Sequence, residues 1–155
     1  MLVGFGAVVP TTDYKDVANA KLGYQILGGL EYPFLAKSTS IRFDGTLGWN
    51  GRETDTRESN YLASINARLV WWIPAKLGSV SPYALAGVGY LYNKYLSGQS
   101  VRPGTSHSEG LFSAGIGAEI PVGPVTTFAE GRYDYGADVT RVYPFVVGIR
   151  FKPGT

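Results

Sequence analysis

The feature that most limits what this chain can fold into is an alternation of apolar and polar side chains repeated eight times. One of the two resulting faces never carries a charge. Successive side chains of a strand point to opposite faces of a sheet, so a two-residue period is a strand signal. It runs through segments 2–9, 21–32, 39–49, 61–72, 82–92, 111–120, 125–135 and 142–151. One face reads Leu22, Tyr24, Ile26 and Leu30 in the second segment, Ile41, Phe43 and Leu47 in the third, and Phe145, Val147 and Ile149 in the last. The other face holds Lys21, Gln25, Glu31, Arg42, Asp44, Asn66, Arg68, Glu119, Glu130, Arg132, Asp134 and Arg150, interleaved with Gly, Ser and Thr. Ordinary globular strands average about 5–6 residues. Most of these segments are about twice that, the ~9–11 residues that a tilted strand needs to cross a bilayer.

Either face could look outward, and composition helps to assign them. A water-facing surface would be rich in Lys and Glu, yet the charged face has Lys21 as its one lysine. The apolar face places Tyr32, Trp49, Tyr61, Trp71, Tyr92, Tyr135, Tyr143 and Phe151 near segment ends, as interfacial girdles require. Its middle is Ala, Val, Leu and Ile, which suits acyl chains. A soluble lipocalin-like barrel with inverted faces is the weaker alternative. The fold expected is therefore all-β, an eight-stranded antiparallel up-and-down transmembrane β-barrel over 1–151, with 152–155 as a C-terminal tail or the start of a linker. Polar connections at 10–20, 50–60, 93–110 and 136–141 alternate with shorter ones at 33–38, 73–81 and 121–124. The termini and short turns are accordingly expected on the periplasmic side, with 93–110 the largest surface excursion.

Other classes are set aside by composition. Charged residues are 17% of 155 and the net charge is +2, which gives no electrostatic case for nucleic acid. Cysteine is absent, so there are no disulfides and no thiolate metal sites. No apolar run approaches the ~18 residues of a membrane helix. Met1-Leu2-Val3 leads straight into strand-like sequence, so a mature form without its signal peptide is expected.

The phrases SPYALAGVGYLY, LFSAGIGAEIPVG, FAEGRYDY and PFVVGIRF resemble the small eight-stranded outer-membrane barrels of the OmpA/OmpX type. The resemblance covers nearly the whole chain. It implies a bacterial outer membrane, a solid lumen, and an aromatic closing strand used by the barrel-assembly machinery during insertion. It also implies a monomer whose partners are outer-membrane lipids, lipopolysaccharide among the candidates. One departure is that Phe151 is followed by Lys152-Pro153-Gly154-Thr155.

Candidate chemistry is thin. The pairs Gly4/Gly6, Gly87/Gly89 and Gly115/Gly117 lack the third glycine and the helix of a dinucleotide fingerprint; space for bulky inward neighbours explains them better. Counting through the short turns places Gly115 and Gly117 beside Glu130 and Phe128, Gly87 near Arg68, and Gly29 near Arg42. The single histidine, His107, is expected in the 93–110 loop between Ser106 and Ser108, with Glu109 next. Some eight-stranded barrels are lipid A deacylases using Ser, His and Glu, but consecutive loop residues cannot easily converge as a triad requires. Arg52, Glu53, Asp55, Arg57 and Glu58 could meet lipopolysaccharide phosphates or divalent cations, and Asp13 and Asp16 are too sparse for a calcium loop. No catalytic, cofactor or metal residue is assigned.

The inward charges are Lys21, Arg42, Arg68, Arg132 and Arg150 against Glu31, Asp44, Glu119, Glu130 and Asp134. Five of each sign suit a self-neutralising lumen network, in which Glu130 is expected to bond Arg150 or another inward arginine. The function expected is non-enzymatic: structural, anchoring or surface interaction through the outer loops. The alternatives are a small-solute channel and, less favoured, a lipid-modifying enzyme acting through His107. Because the apolar face exceeds the ~300–600 Å² patch of a typical soluble monomer, the chain made without a signal peptide should form inclusion bodies and refold as a monomer only in detergent or lipid. Size-exclusion chromatography checks this; a folded, monodisperse preparation in detergent-free buffer would contradict it.

Overall fold

The computed structural model describes residues 1–11, 20–52, 59–75, 78–95, 106–138 and 140–151. They form eight strands: β1 (Leu2–Pro10), β2 (Ala20–Phe34), β3 (Ala36–Arg52), β4 (Ser59–Trp72), β5 (Ser81–Tyr95), β6 (Ser106–Val122), β7 (Val125–Gly136) and β8 (Arg141–Phe151). Each pairs antiparallel with its sequence neighbours, and β1 closes on β8 from Leu2↔Arg150 to Pro10↔Val142. The result is a closed eight-stranded barrel, all-β, as the two-residue period predicts. No described residue is helical.

The faces divide by parity. Outward side chains such as Ile65 and Ile116, each 70% exposed, and Val88 at 63% form an apolar belt. Inward, three apolar clusters line the lumen wall: Leu2, Leu27, Phe128 and Val146; Leu62, Leu91 and Leu111; and Val70, Tyr83 and Leu85 against Trp72. Charged and amide side chains fill the space between them.

Several strands outrun the segments read from sequence. β6 begins at Ser106, so His107 lies on a strand and not in a loop, paired with Asn93. Beyond the membrane belt both faces of β5 and β6 are polar, so the apolar period stops there while the backbone ladder continues. Residues 12–19, 53–58, 96–105 and 152–155, which include Asp13, Asp16, Glu53, Asp55, Arg57, Glu58 and the C-terminal tail, lie outside the described residues.

Two of the three register counts shift by two residues. Gly115 pairs with Arg132 and Gly117 with Glu130, because β6 and β7 join through a tight turn at Gly123 (φ 60°) and Val122 already pairs with Val125. Gly29 pairs with Asp44, and Arg42 with Glu31, because a register shift at Pro33/Phe34 puts extra residues on the β3 side. There the Thr39 hydroxyl donates to the Phe34 carbonyl and accepts from the Ala36 amide. Gly87 pairs with Arg68 as counted.

At Gly117 a close approach demands glycine: a Cβ there would run into the Tyr83 ring. Gly117→Val is expected to destabilise the barrel by ~1–3 kcal/mol through overpacking, read as a lower urea midpoint in detergent micelles. A midpoint equal to that of the native protein would show that the ring moves freely.

Candidate functional site

The lumen is organised around Glu130 on β7. Its Oε2 accepts from Arg42 Nη1 at 2.6 Å and from the Tyr83 hydroxyl at 2.9 Å, and its Oε1 accepts from Arg132 Nη1 at 3.2 Å. Arg42 turns its Nε to Glu31 Oε2 at 3.0 Å. Glu31 Oε1 also accepts from the Ser40 hydroxyl at 2.6 Å and from Arg150 Nη1 at 3.1 Å. Arg150 lies 3.4 Å from Glu119 and stacks 4.9 Å from the Trp72 ring centre, at the short-turn end of the lumen.

A second layer lies deeper along the same axis. Arg68 is paired with Asp44 and donates its Nε to the Ser113 hydroxyl at 2.9 Å. Asn66 Nδ2 bridges Asp44 at 3.2 Å and Ser64 at 2.9 Å, and Ser64 meets Thr46 at 2.7 Å. Arg132 links the layers, its Nε 3.9 Å from Asp134 Oδ1.

Register explains the pairing. Arg42 and Arg68 stand directly opposite each other on β3 and β4, a like-charge arrangement that destabilises a sheet when left alone. Each escapes by reaching a different carboxylate: Arg42 to Glu31 and Glu130, Arg68 to Asp44. The Arg42, Arg68 and Glu130 side chains are wholly buried, so an unpaired member would cost several kcal/mol. Arginine suits the task because its planar fork can hold two carboxylates at once.

Lys21 stands apart. It is exposed at the far end of β2 and makes no ion pair with a described residue; its carbonyl accepts from Asn50 Nδ2 at 2.9 Å. Arg42, Arg68, Arg132 and Arg150 therefore face Glu31, Asp44, Glu119, Glu130 and Asp134, a surplus of one carboxylate. The Glu119 and Arg150 side chains are 19% and 15% exposed, so water at that mouth can solvate the surplus. Sequence reasoning missed Tyr83, Ser40, Ser113 and Trp72. Tyr83 had a usable signal: it has inward parity in a segment whose other inward residues are Leu and Gly, and a buried phenol needs a partner.

Above the network lies a chamber of about 20 Å³, lined by Gln25, Ser64, Asp134 and Thr140 and by Leu62, Leu91 and Leu111. That is room for roughly one water.

Aromatic rings occupy both ends of the outer face. On the long-connection side Tyr24 stacks on Trp49 at 5.5 Å and Trp49 meets Tyr61 at 5.8 Å, with Tyr92 on the neighbouring strand. Tyr133 packs against Tyr143 at 5.1 Å and Tyr135 at 6.4 Å, and Arg141 lies over Tyr135 at 5.0 Å. At the short-turn end are Tyr32, Trp71 and Phe151. Tyr24 and Tyr133, which the sequence reading left out of the girdle, connect its members.

His107 faces the lumen mouth, its Nε2 3.1 Å from Asp138 Oδ2. Ser106 and Ser108 point to the opposite side of β6. The Glu109 carboxylate is taken up by the Asp138 and Thr140 amides at 2.7 and 3.1 Å, so it braces the β7–β8 connection. The arrangement holds a loop; it does not assemble nucleophile, base and orienter. Among the described residues no group of three His, Cys, Asp or Glu could hold a metal.

Residues 3–151 match the model of the outer membrane protein beta-barrel domain. The chain belongs to that family. No curated protein sequence matches it. Solved structures of the same architecture include Neisserial surface protein A (NspA), with 17% identity, TM-score 0.72, and coverage of 98% of this chain and 94% of that one. Ail, the attachment invasion locus protein of Yersinia pestis, shares 19% identity with a TM-score of 0.55 over 97% and 95% of the two chains. The outer membrane enzyme PagL shares 9% with a TM-score of 0.58 over 98% of each. At these identities the likeness is one of fold. Family and architecture together point to a bacterial outer membrane.

Because Glu130 answers Arg42, Arg132 and Tyr83 together, Glu130→Ala should destabilise this family member by ~3–5 kcal/mol. Lys21→Ala should stay within ~0.5 kcal/mol. Urea unfolding in micelles measures both, and equal small effects would show that the buried network contributes nothing.

Proposed function

We propose that the protein is a non-enzymatic outer-membrane barrel, a structural anchor that presents its long connections to partners at the cell surface, with its lumen plugged by the internal charge network. The observation that carries this reading is the double arginine–carboxylate layer around Glu130, which leaves space for about one water above it. Eight strands enclose an interior just wide enough for side chains, and here those side chains bond one another across it. A solute-selective rim would instead show one sign of charge around open space.

The surroundings follow from the outer face. Outer-membrane lipids contact the apolar belt, lipopolysaccharide meets the long-connection girdle, and the barrel-assembly machinery acts during insertion of the mature chain as a monomer. A lipid-modifying role is poorly served, because His107 points into the mouth and the neighbouring serines do not face it.

Two measurements test the reading. Reconstituted in planar bilayers, the protein should show no steady open-channel conductance; sustained conductance would favour the solute channel. Lipid A from cells expressing it should be unchanged, and the same with His107→Ala. A modification that disappears with His107→Ala would overturn the non-enzymatic assignment.

A further inference from the structure

The three short turns differ in a way that the plugged barrel does not explain. Two of them place a glycine in the left-handed backbone region, Gly78 at φ 67° and Gly123 at φ 60°. The third, between β2 and β3, places Leu35 there at φ 60°. A left-handed conformation is strained for a side chain with a Cβ, and glycine adopts it freely. Leu35 is also 91% exposed. A turn that merely returned the chain through water would carry Gly or Asn at that position, so the site combines backbone strain with full exposure of an apolar side chain.

Its position supplies the compensation. The outward column of β2 runs Leu30, Tyr32, Phe34, all exposed on the lipid-facing side, and Leu35 follows directly after Phe34 in the turn. Tyr32 belongs to the short-turn girdle. Three residues beyond it, at ~3.3 Å per residue on a strand tilted ~40°, lie about 8 Å further from the bilayer centre. Headgroup layers are roughly 5–8 Å deep on each side of the hydrocarbon core. Lys37, exposed two residues further on, places a cation where lipid phosphates lie. The turn is pinned rather than floppy, since Thr39 binds both Phe34 and Ala36.

We infer that the Phe34–Leu35 tip is a lipid anchor, inserted into the headgroup layer of the short-turn leaflet as an extension of the aromatic girdle, with Lys37 paired to phosphate. The partner is the phospholipid interface, contiguous with the lipid face already described, and the inference holds whatever role the long connections serve.

The chain has no cysteine, so a single nitroxide can be placed at Leu35→Cys, with Phe34→Cys as a second position and Ser79→Cys on an exposed turn at the same end as reference. The proteins are reconstituted in vesicles of phosphatidylethanolamine and phosphatidylglycerol, and collision with oxygen is compared with collision with a water-soluble nickel chelate. The labels at 35 and 34 should favour oxygen and be shielded from nickel relative to the label at 79. Nickel accessibility equal to that at 79 would overturn the anchor. Shielding from both reagents with strong immobilisation would also overturn it, assigning the tip to a protein contact such as a second copy.

Discussion

Glu130 is held from three directions, and most of the interior depends on how that carboxylate is satisfied. An eight-stranded barrel has too little room for water to solvate a charge buried at mid-height, so every ionised group inside must find its partner in the wall. Arg42 and Arg68 face each other across β3 and β4, and neither could stay there without a separate acid. Glu130 and Glu31 draw Arg42 one way, and Asp44 draws Arg68 the other. Arg132 then bridges the two layers, bonded to Glu130 and close to Asp134. Removing one member would strand several others, so the network is better treated as a unit than as a set of pairs.

The same constraint sets the distribution of size around the lumen. Glycines sit opposite arginines and beside Tyr83, because bulk on one strand needs its absence on the next: Gly87 against Arg68, Gly115 against Arg132, Gly117 against the Tyr83 ring. Outside, the lipid imposes the reverse rule, with aliphatic side chains at mid-height and aromatic rings at both ends. A filled lumen with a lipid-matched exterior is what the proposed anchoring role requires of the barrel, with the long connections at one end free for contacts.

Much of this was legible in the residues because strand parity is a strong code. The eight strands, the inward charges and most of the girdle follow from a two-residue period that never breaks within the membrane. It fails where the medium changes. His107 read as a loop residue because the apolar alternation ends at the girdle, although the ladder continues to Ser106. Register slipped by two where a turn was tighter than its two prolines suggested, as at Gly123, or carried extra residues on one strand, as after Pro33. Lys21 read as inward by parity, but a register shift between Ala20 and Gly23 breaks the alternation there, and Lys21 and Leu22 are both exposed. Tyr83 was overlooked because its neighbours made that face look empty, when an empty face is where a large buried ring fits.

If Arg42 and Glu130 stabilise the barrel jointly, a double-mutant cycle will measure their coupling. Arg42→Met, Glu130→Gln and the double variant are unfolded in urea in the same micelles. Two costly single substitutions are expected, with a double variant much less destabilised than their sum and a coupling of roughly 1–3 kcal/mol. Effects that add to within ~0.5 kcal/mol would mean that the two groups are independent, and the charge network would not be what holds the lumen closed.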